Sequence, residues 1–318
     1  MRYNDNEIKE ILKSALNLWW LRPENALALA SYTIYGVDLL PKDGQKYADL
    51  ACGDGVNTFF KCGGRYDPQF DLFISGISTS STKEVVQKGV DVFDTYDENY
   101  QPRIINKPTS KYFVGTDHKE NLIKKANHLD FYENTFVSDL RDEVCIEDES
   151  LDLIYCNALY YVIESDTAVE NMKRKLKKDG TIVLDLFNTN KYLLDWGKIY
   201  PSTTKEWQEM LNRGRQESNP GLKSTQGWEE MFSTLGLSIV EKKDIFPPSI
   251  THFWNLGLRP IFPILNKMAS NITYETRKDI KEEWVEVFTE LLYPILKDPY
   301  SFSNDKLEYN NQYILKVK

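Results

Sequence analysis

The chain has 318 residues, 41% hydrophobic and 27% charged, enough to bury a large core and too apolar for wholesale disorder. Lys plus Arg number 39 against 48 Asp plus Glu, a net charge of −9, which argues against a nucleic-acid partner. Cys52, Cys62, Cys145 and Cys156, and the isolated His118, His128 and His252, offer neither a disulfide framework nor the spacing of a metal site.

Ile8, Ile11, Leu12, Ala15, Leu16 and Trp19 recur at three- and four-residue intervals and predict an amphipathic helix. A second helix is expected from Glu24 to about Leu40, after Pro23, with Gly36 weakening its last turns. Together these make a helical cap over residues 1–45. The turn Pro41-Lys-Asp-Gly44 then leads into a strand over 46–51. Further strands are expected at 112–116, 135–138, 151–156 and 181–187, with helices at 120–128 and 166–178 between them. This alternation predicts an α/β fold with a mostly parallel, doubly wound sheet in residues 46–318.

Later elements are expected at 227–235, 261–269 and 276–296 (helices) and at 237–242 and 312–317 (strands). Two long stretches fit no minimal α/β unit: an insertion over 62–110 and the start of a region spanning 189–300, at 189–226. Long structureless loops in a compact domain carry function, so both are candidate lids. The start Met1-Arg-Tyr-Asn-Asp-Asn-Glu lacks an apolar signal core, and no apolar run reaches the roughly 18 residues of a membrane span. A cytoplasmic location with no membrane span is the expectation.

The chemistry concentrates at strand ends. Tyr47-Ala-Asp-Leu-Ala-Cys-Gly-Asp-Gly55 runs an apolar strand into Gly53-x-Gly55, with Asp49 four positions before the first glycine. Glycines there let backbone approach a ligand closely. The next strand ends in Val114-Gly-Thr-Asp117, an acid where a ribose diol can be held, and His118 follows it. The third strand ends in Val137-Ser-Asp139-Leu140 and the fourth in Tyr155-Cys-Asn157. Ligands of open α/β sheets bind along that edge.

Asp49-Leu-Ala-Cys-Gly-Asp-Gly55, Gly115-Thr-Asp117, Ser138-Asp139-Leu140, Asp152-Leu-Ile-Tyr-Cys-Asn157 and Lys177-Lys-Asp-Gly180-Thr-Ile-Val-Leu-Asp185 resemble, in this order, the motifs of class I S-adenosylmethionine-dependent methyltransferases. The resemblance covers roughly residues 46–187. It implies a seven-stranded Rossmann-like sheet with an antiparallel last strand, which residues 312–317 would supply, and it implies S-adenosylmethionine as cofactor. It places the Gly53–Gly55 loop toward the methionine portion and Asp117 on the ribose; Asp49 and Ala51, which lead into the loop, and His118, which follows Asp117, are further cofactor-binding candidates. Asp139 and Leu140 would flank the adenine, and Asn157 would lie near the point of transfer. The 68 positions between Asp49 and Asp117 exceed the roughly 20 of a dinucleotide fold. If the insertion hides a helix and a strand, Asp91 or Asp94 takes Asp117's place; the strand 112–116 and the helix after it favour Asp117.

A small-molecule acceptor is expected, methylated on O or N rather than C. His252, in Pro247-Pro-Ser-Ile-Thr-His252-Phe-Trp, is the candidate general base by elimination. The prolines predict that residues 245–260 cross the sheet edge as a loop and roof the acceptor together with the 62–110 insertion. The alternatives are an NAD(P)-dependent oxidoreductase, weakened by the missing third glycine of G-x-G-x-x-G, and a non-catalytic module binding the same cofactor.

Overall fold

Asn4 opens the first helix, α1 (Asp5–Leu18), with a capping box. Its side chain accepts from the Asn6 and Glu7 amides at 3.0 and 3.1 Å, and Glu7 accepts from the Asn4 amide at 2.7 Å. The second helix, α2 (Pro23–Tyr35), starts on proline as expected but stops before Gly36 rather than near Leu40. The cause is tertiary: the Val37 amide donates to Gln312 Oε1 at 2.7 Å instead of continuing the helix. The structure, a computed structural model, describes residues 2–73, 94–142, 146–212, 219–269, 271–301 and 307–318.

The strands of the main sheet are β1 (Tyr47–Leu50), β4 (Tyr112–Asp117), β5 (Tyr132–Val137), β6 (Leu151–Cys156), β7 (Leu176–Phe187), β8 (Leu237–Asp244) and β9 (Asn310–Val317). A separate pair, β2 (Arg65–Tyr66) and β3 (Ile104–Asn106), is antiparallel. The main sheet has the order β5-β4-β1-β6-β7-β9-β8. Its first five strands run parallel, while β9 is antiparallel to both β7 and β8. All seven strands expected from the sequence are present, including the antiparallel one at 312–317. β7 begins at Leu176, inside the expected helix, because Leu176 already pairs with Leu151.

Helices α3 (Val56–Lys61), α4 (Glu120–Asn127) and α5 (Ser165–Lys175) connect the parallel strands. Beyond β7, the described residues of 189–226 are not structureless as expected. They hold a 3₁₀ turn at Thr189–Leu194 and helices α6 (Trp196–Ile199) and α7 (Lys205–Asn212), and α8 (Thr225–Thr234) follows. Asp195 caps α6 through the Gly197 amide at 2.8 Å and also accepts from Asn212 Nδ2 at 2.8 Å, so a short polar segment gains order from side-chain hydrogen bonds.

Residues 245–260 also depart from the expected loop. A short helix, α9 (Pro248–His252), leads into a π-helical stretch at Phe253–Leu258 and then α10 (Phe262–Ala269). Pro248 occupies the first helical position, where the missing N–H costs nothing, so the proline pair starts a helix rather than preventing one. The long α11 (Tyr274–Lys297) packs on α1, with Lys9 reaching Glu290 at 2.8 Å. Apolar side chains from both faces of the sheet and from α1, α2 and α11 form one continuous core. No helix among the described residues is long and apolar enough to cross a membrane.

Candidate functional site

The parallel strands end along one edge, and the loop after β1 is the most constrained element there. Ala51, Gly53 and Gly55 all take positive φ, at 55°, 60° and 76°. At Gly55 a Cβ would fall 2.8 Å from the Tyr132 ring, so glycine is needed for close packing. At Gly53 a Cβ would meet nothing within 4 Å. The loop is therefore packed tight below and open above, the arrangement a ligand lying over its backbone requires.

Asp117 ties this loop to the next strand. Its Oδ2 accepts from the Gly53 amide at 3.0 Å and its Oδ1 from the Lys119 amide at 2.9 Å, with the His118 ring 3.5 Å away. A carboxylate offers about four lone-pair sites. Two are taken by backbone, which leaves two for a ligand diol. β4 is the strand that pairs with β1, with Asp49 opposite Gly115, which puts Asp117 at the tip of the strand next to the glycine loop. Asp94 instead pairs with Lys119 at 2.6 Å, and Asp91 lies outside the described residues.

Asp49 points inward. It is 1% exposed and accepts from the Tyr132 hydroxyl at 2.7 Å. Burial pushes its carboxyl up to about 6, against the pull of hydrogen bonds from Thr58 and Tyr132 and of the nearby Lys61 ammonium. Asp49 thus fixes the loop from beneath, and Tyr132, whose ring also packs on Gly115, completes the clamp. Cys52 is buried, and burial drives its thiol well above the ordinary range, so it stays protonated and is no nucleophile.

At the end of β5, both Asp139 oxygens are held by Arg141, at 2.9 and 2.7 Å, and that guanidinium draws the carboxyl down to about 2. Any ligand amine meeting Asp139 has to share it with Arg141. Leu140 beside it is buried, and Asn157 follows β6 half-buried. The fold thus brings Ala51, Gly53, Asp117, His118, Asp139, Leu140 and Asn157 to consecutive strand ends.

His252 belongs to a different place. It lies in α9, half-buried, with its ring 6.2 Å from that of Tyr309 at the β7–β9 end. An aromatic group collects there. Phe187, the last residue of β7, stacks on Trp254 at 5.8 Å and meets Tyr160 at 5.4 Å and Phe246 at 5.9 Å. Of the insertion, residues 74–93 lie outside the description. One flank reaches the cofactor edge through the Asp94–Lys119 pair, while Tyr96 meets the far end of α4, its hydroxyl 3.2 Å from His128 Nε2.

Sequence reasoning missed a buried group under α2 and α3. Lys61 Nζ lies 2.6 Å from Asp185 Oδ2, the Tyr155 hydroxyl donates to the same oxygen at 2.6 Å, and Gln312 donates to Asp185 Oδ1 at 2.7 Å. Among the described residues, no cluster of His, Cys, Asp and Glu has the makings of a metal site.

Residues 101–184 match a family model described as a methyltransferase domain. No curated protein matches. Among solved structures, the chain is similar to an S-adenosylmethionine-dependent methyltransferase from Geobacter sulfurreducens in complex with S-adenosyl-L-homocysteine, at 13% identity and TM-score 0.43 over 98% of each chain. It is also similar to a TehB-like methyltransferase from Corynebacterium glutamicum, at 14% identity and TM-score 0.39 over 90% of this chain and 89% of that one. A third is geranyl diphosphate C-methyltransferase from Streptomyces coelicolor, at 13% and 0.39 over 92% and 78%.

Proposed function

We propose that the chain, whose residues 101–184 match a methyltransferase domain, is a class I S-adenosylmethionine-dependent methyltransferase that methylates O or N of a small, partly apolar molecule held over the end of β7. The observation that carries this reading is the aromatic group of Phe187, Trp254, Tyr160 and Phe246, which stands beside the polar strand ends rather than among them. Aromatic walls with few polar groups suit a small organic acceptor. The net charge of −9 gives a polyanion no general attraction.

On this reading Gly53 and Gly55 let the cofactor's methionine portion lie on the loop, with Asp49 and Ala51 shaping that loop. Asp117 holds the ribose hydroxyls, His118 borders them, Asp139 and Leu140 flank the adenine, and Asn157 faces the point of transfer. The open space above Gly53 and the two uncommitted lone pairs of Asp117 fit that group. The bound sulfonium supplies an electrophilic methyl group. The residues' task is to hold an acceptor lone pair in line with it, and orientation of this kind is worth about 7–11 kcal/mol. His252, at the aromatic end, takes the acceptor's proton. The flanks of the 62–110 insertion close the site from the cofactor side, with the cytoplasm as the working compartment.

The test is transfer of labelled methyl to a panel of phenols, amines, RNA and protein. Small acceptors should be labelled, and exclusive labelling of RNA or protein would overturn the reading. With a small acceptor in hand, His252→Ala should leave cofactor affinity unchanged and lower the rate by roughly 10²–10⁴. An unchanged rate reduces His252 to packing.

A further inference from the structure

Among the described residues, two buried cations come together away from the strand ends. A cavity of about 270 Å³ opens between α1, residues 68–71 of the insertion and the first turns of α11. Two of its lining side chains, Arg277 and Lys281, are cations only 4% and 5% exposed. One carboxylate, Asp71, is buried with them and lies 2.7 Å from Arg277 Nε. The other acids on the lining, Glu282 and Glu286, are exposed, and Glu286 pairs with Lys13. Inside the cavity the balance is two positive charges against one negative.

The hydrogen-bond donors show the same excess. Arg277 has five N–H groups. Nε donates to Asp71 and Nη1 to the Ala269 carbonyl at 3.1 Å, while Nη2 is buried with no hydrogen-bond partner. Lys281 has three donors and spends two, on the Pro68 and Phe70 carbonyls at 2.7 Å each. Burial lowers the Lys281 ammonium to about 8, the direction expected of a cation short of counter-charge. Buried donors and charges left unpaired are costly, and an oxyanion supplies both acceptors and charge.

We propose that this cavity is a binding site for one phosphate-sized oxyanion, held by Arg277 Nη2 and the remaining Lys281 donor. Asp71 stays on Arg277 Nε and limits the site to a compact anion. Exposed Lys278 stands at the rim. The bound anion pins the root of the insertion to α11. Phe73, two residues past Asp71, packs against Trp19 and Phe262, so the pinned root continues into the layer around α10.

The experiment is thermal melting and calorimetry of the full chain at constant ionic strength, with chloride exchanged for inorganic phosphate. The expected result is one site per chain and a saturable rise in Tm that grows with the logarithm of phosphate above Kd. Lys281→Met removes the free donor and its charge at nearly constant volume, and should abolish the phosphate-dependent rise while S-adenosylmethionine affinity stays within two-fold. Arg277→Lys keeps the charge beside Asp71 but removes the fork, and should weaken phosphate at least ten-fold. It decides the matter alone if the Met variant fails to fold. A wild-type Tm indifferent to phosphate, or a rise undiminished in the variants, overturns the proposal. Neither readout depends on the methyl acceptor.

Discussion

At the ends of β1, β4 and β5 the molecule presents backbone amides and carboxylates bound to one another, whereas at the end of β7 it presents aromatic rings packed face-on and edge-on. The first region is organised by short-range hydrogen bonds: Gly53 and Lys119 amides on Asp117, the Cys52 amide on the Thr116 carbonyl at 2.7 Å, Arg141 on Asp139. The second is assembled from Tyr160, Phe187, Phe246 and Trp254, contributed by three separate stretches of chain. A polar ligand common to many enzymes needs fixed donors and acceptors, and these come from loops a few residues long. An acceptor surface needs shape, which comes from tertiary packing.

The sharpest way to break the comparison is at the glycines, where the loop's two sides differ. Gly55→Ala forces a Cβ into the Tyr132 ring at 2.8 Å and strains a φ of 76°. Left-handed strain of about 1–2 kcal/mol and overpacking of about 1–3 kcal/mol should together cost about 2–5 kcal/mol in chemical denaturation. Gly53→Ala carries the backbone strain alone, about 1–2 kcal/mol, but fills the open space above the loop. It should therefore lose more cofactor affinity than stability. Equal stability losses in the two variants would mean that Tyr132 does not press on the loop.

Next in size is Asp117→Ala. Hydrogen bonds to charged groups contribute about 1.5–3 kcal/mol, so S-adenosylmethionine should bind roughly 10- to 150-fold more weakly by calorimetry. Asp94→Ala removes only an exposed pair with Lys119 and should change affinity by less than about three-fold. Reversed results would return the ribose to the insertion and undo the reading of the cofactor edge.

The same contrast explains what the sequence disclosed. The glycine loop, the strand ending in Asp117 and the acid at Asp139 are local patterns, because a strand leading into a turn is a contiguous stretch of chain. The seven strands were legible for the same reason. Tyr132 was not, since a tyrosine at the start of a strand carries no mark of the Asp49 carboxylate it meets 83 positions away. Nor was the Lys61–Asp185–Gln312 group, which draws on α3, β7 and β9. The proline pair Pro247-Pro248 misled because proline marks helix starts as well as stops, and only packing decides which.

The smallest effect is a slope in stability against pH, and it separates the two regions again. Asp49 under the glycine loop and Asp244 at the end of β8 are each pushed up to about 6, chiefly by burial. An acid whose folded pKa lies above its unfolded value of about 3.9 binds more protons in the folded state between those limits. Stability contributed by such a group therefore falls as pH rises from about 4 to 6 and levels above that. One proton's difference corresponds to a slope of about 1.4 kcal/mol per pH unit at most. Glu24 and Asp54 are also raised by burial and give a background that the variants share. Asp49→Asn should remove up to one proton's worth of slope, and Asp244→Asn should do the same. The two differ in partners: Asp49 accepts from Tyr132 at 2.7 Å inside the loop clamp, while Asp244 accepts from the exposed Tyr300 at 3.1 Å. Asp49→Asn should therefore also weaken S-adenosylmethionine binding, and Asp244→Asn should leave it within two-fold. If Asp49→Asn leaves both the slope and the affinity untouched, the buried carboxylate is not what fixes the loop.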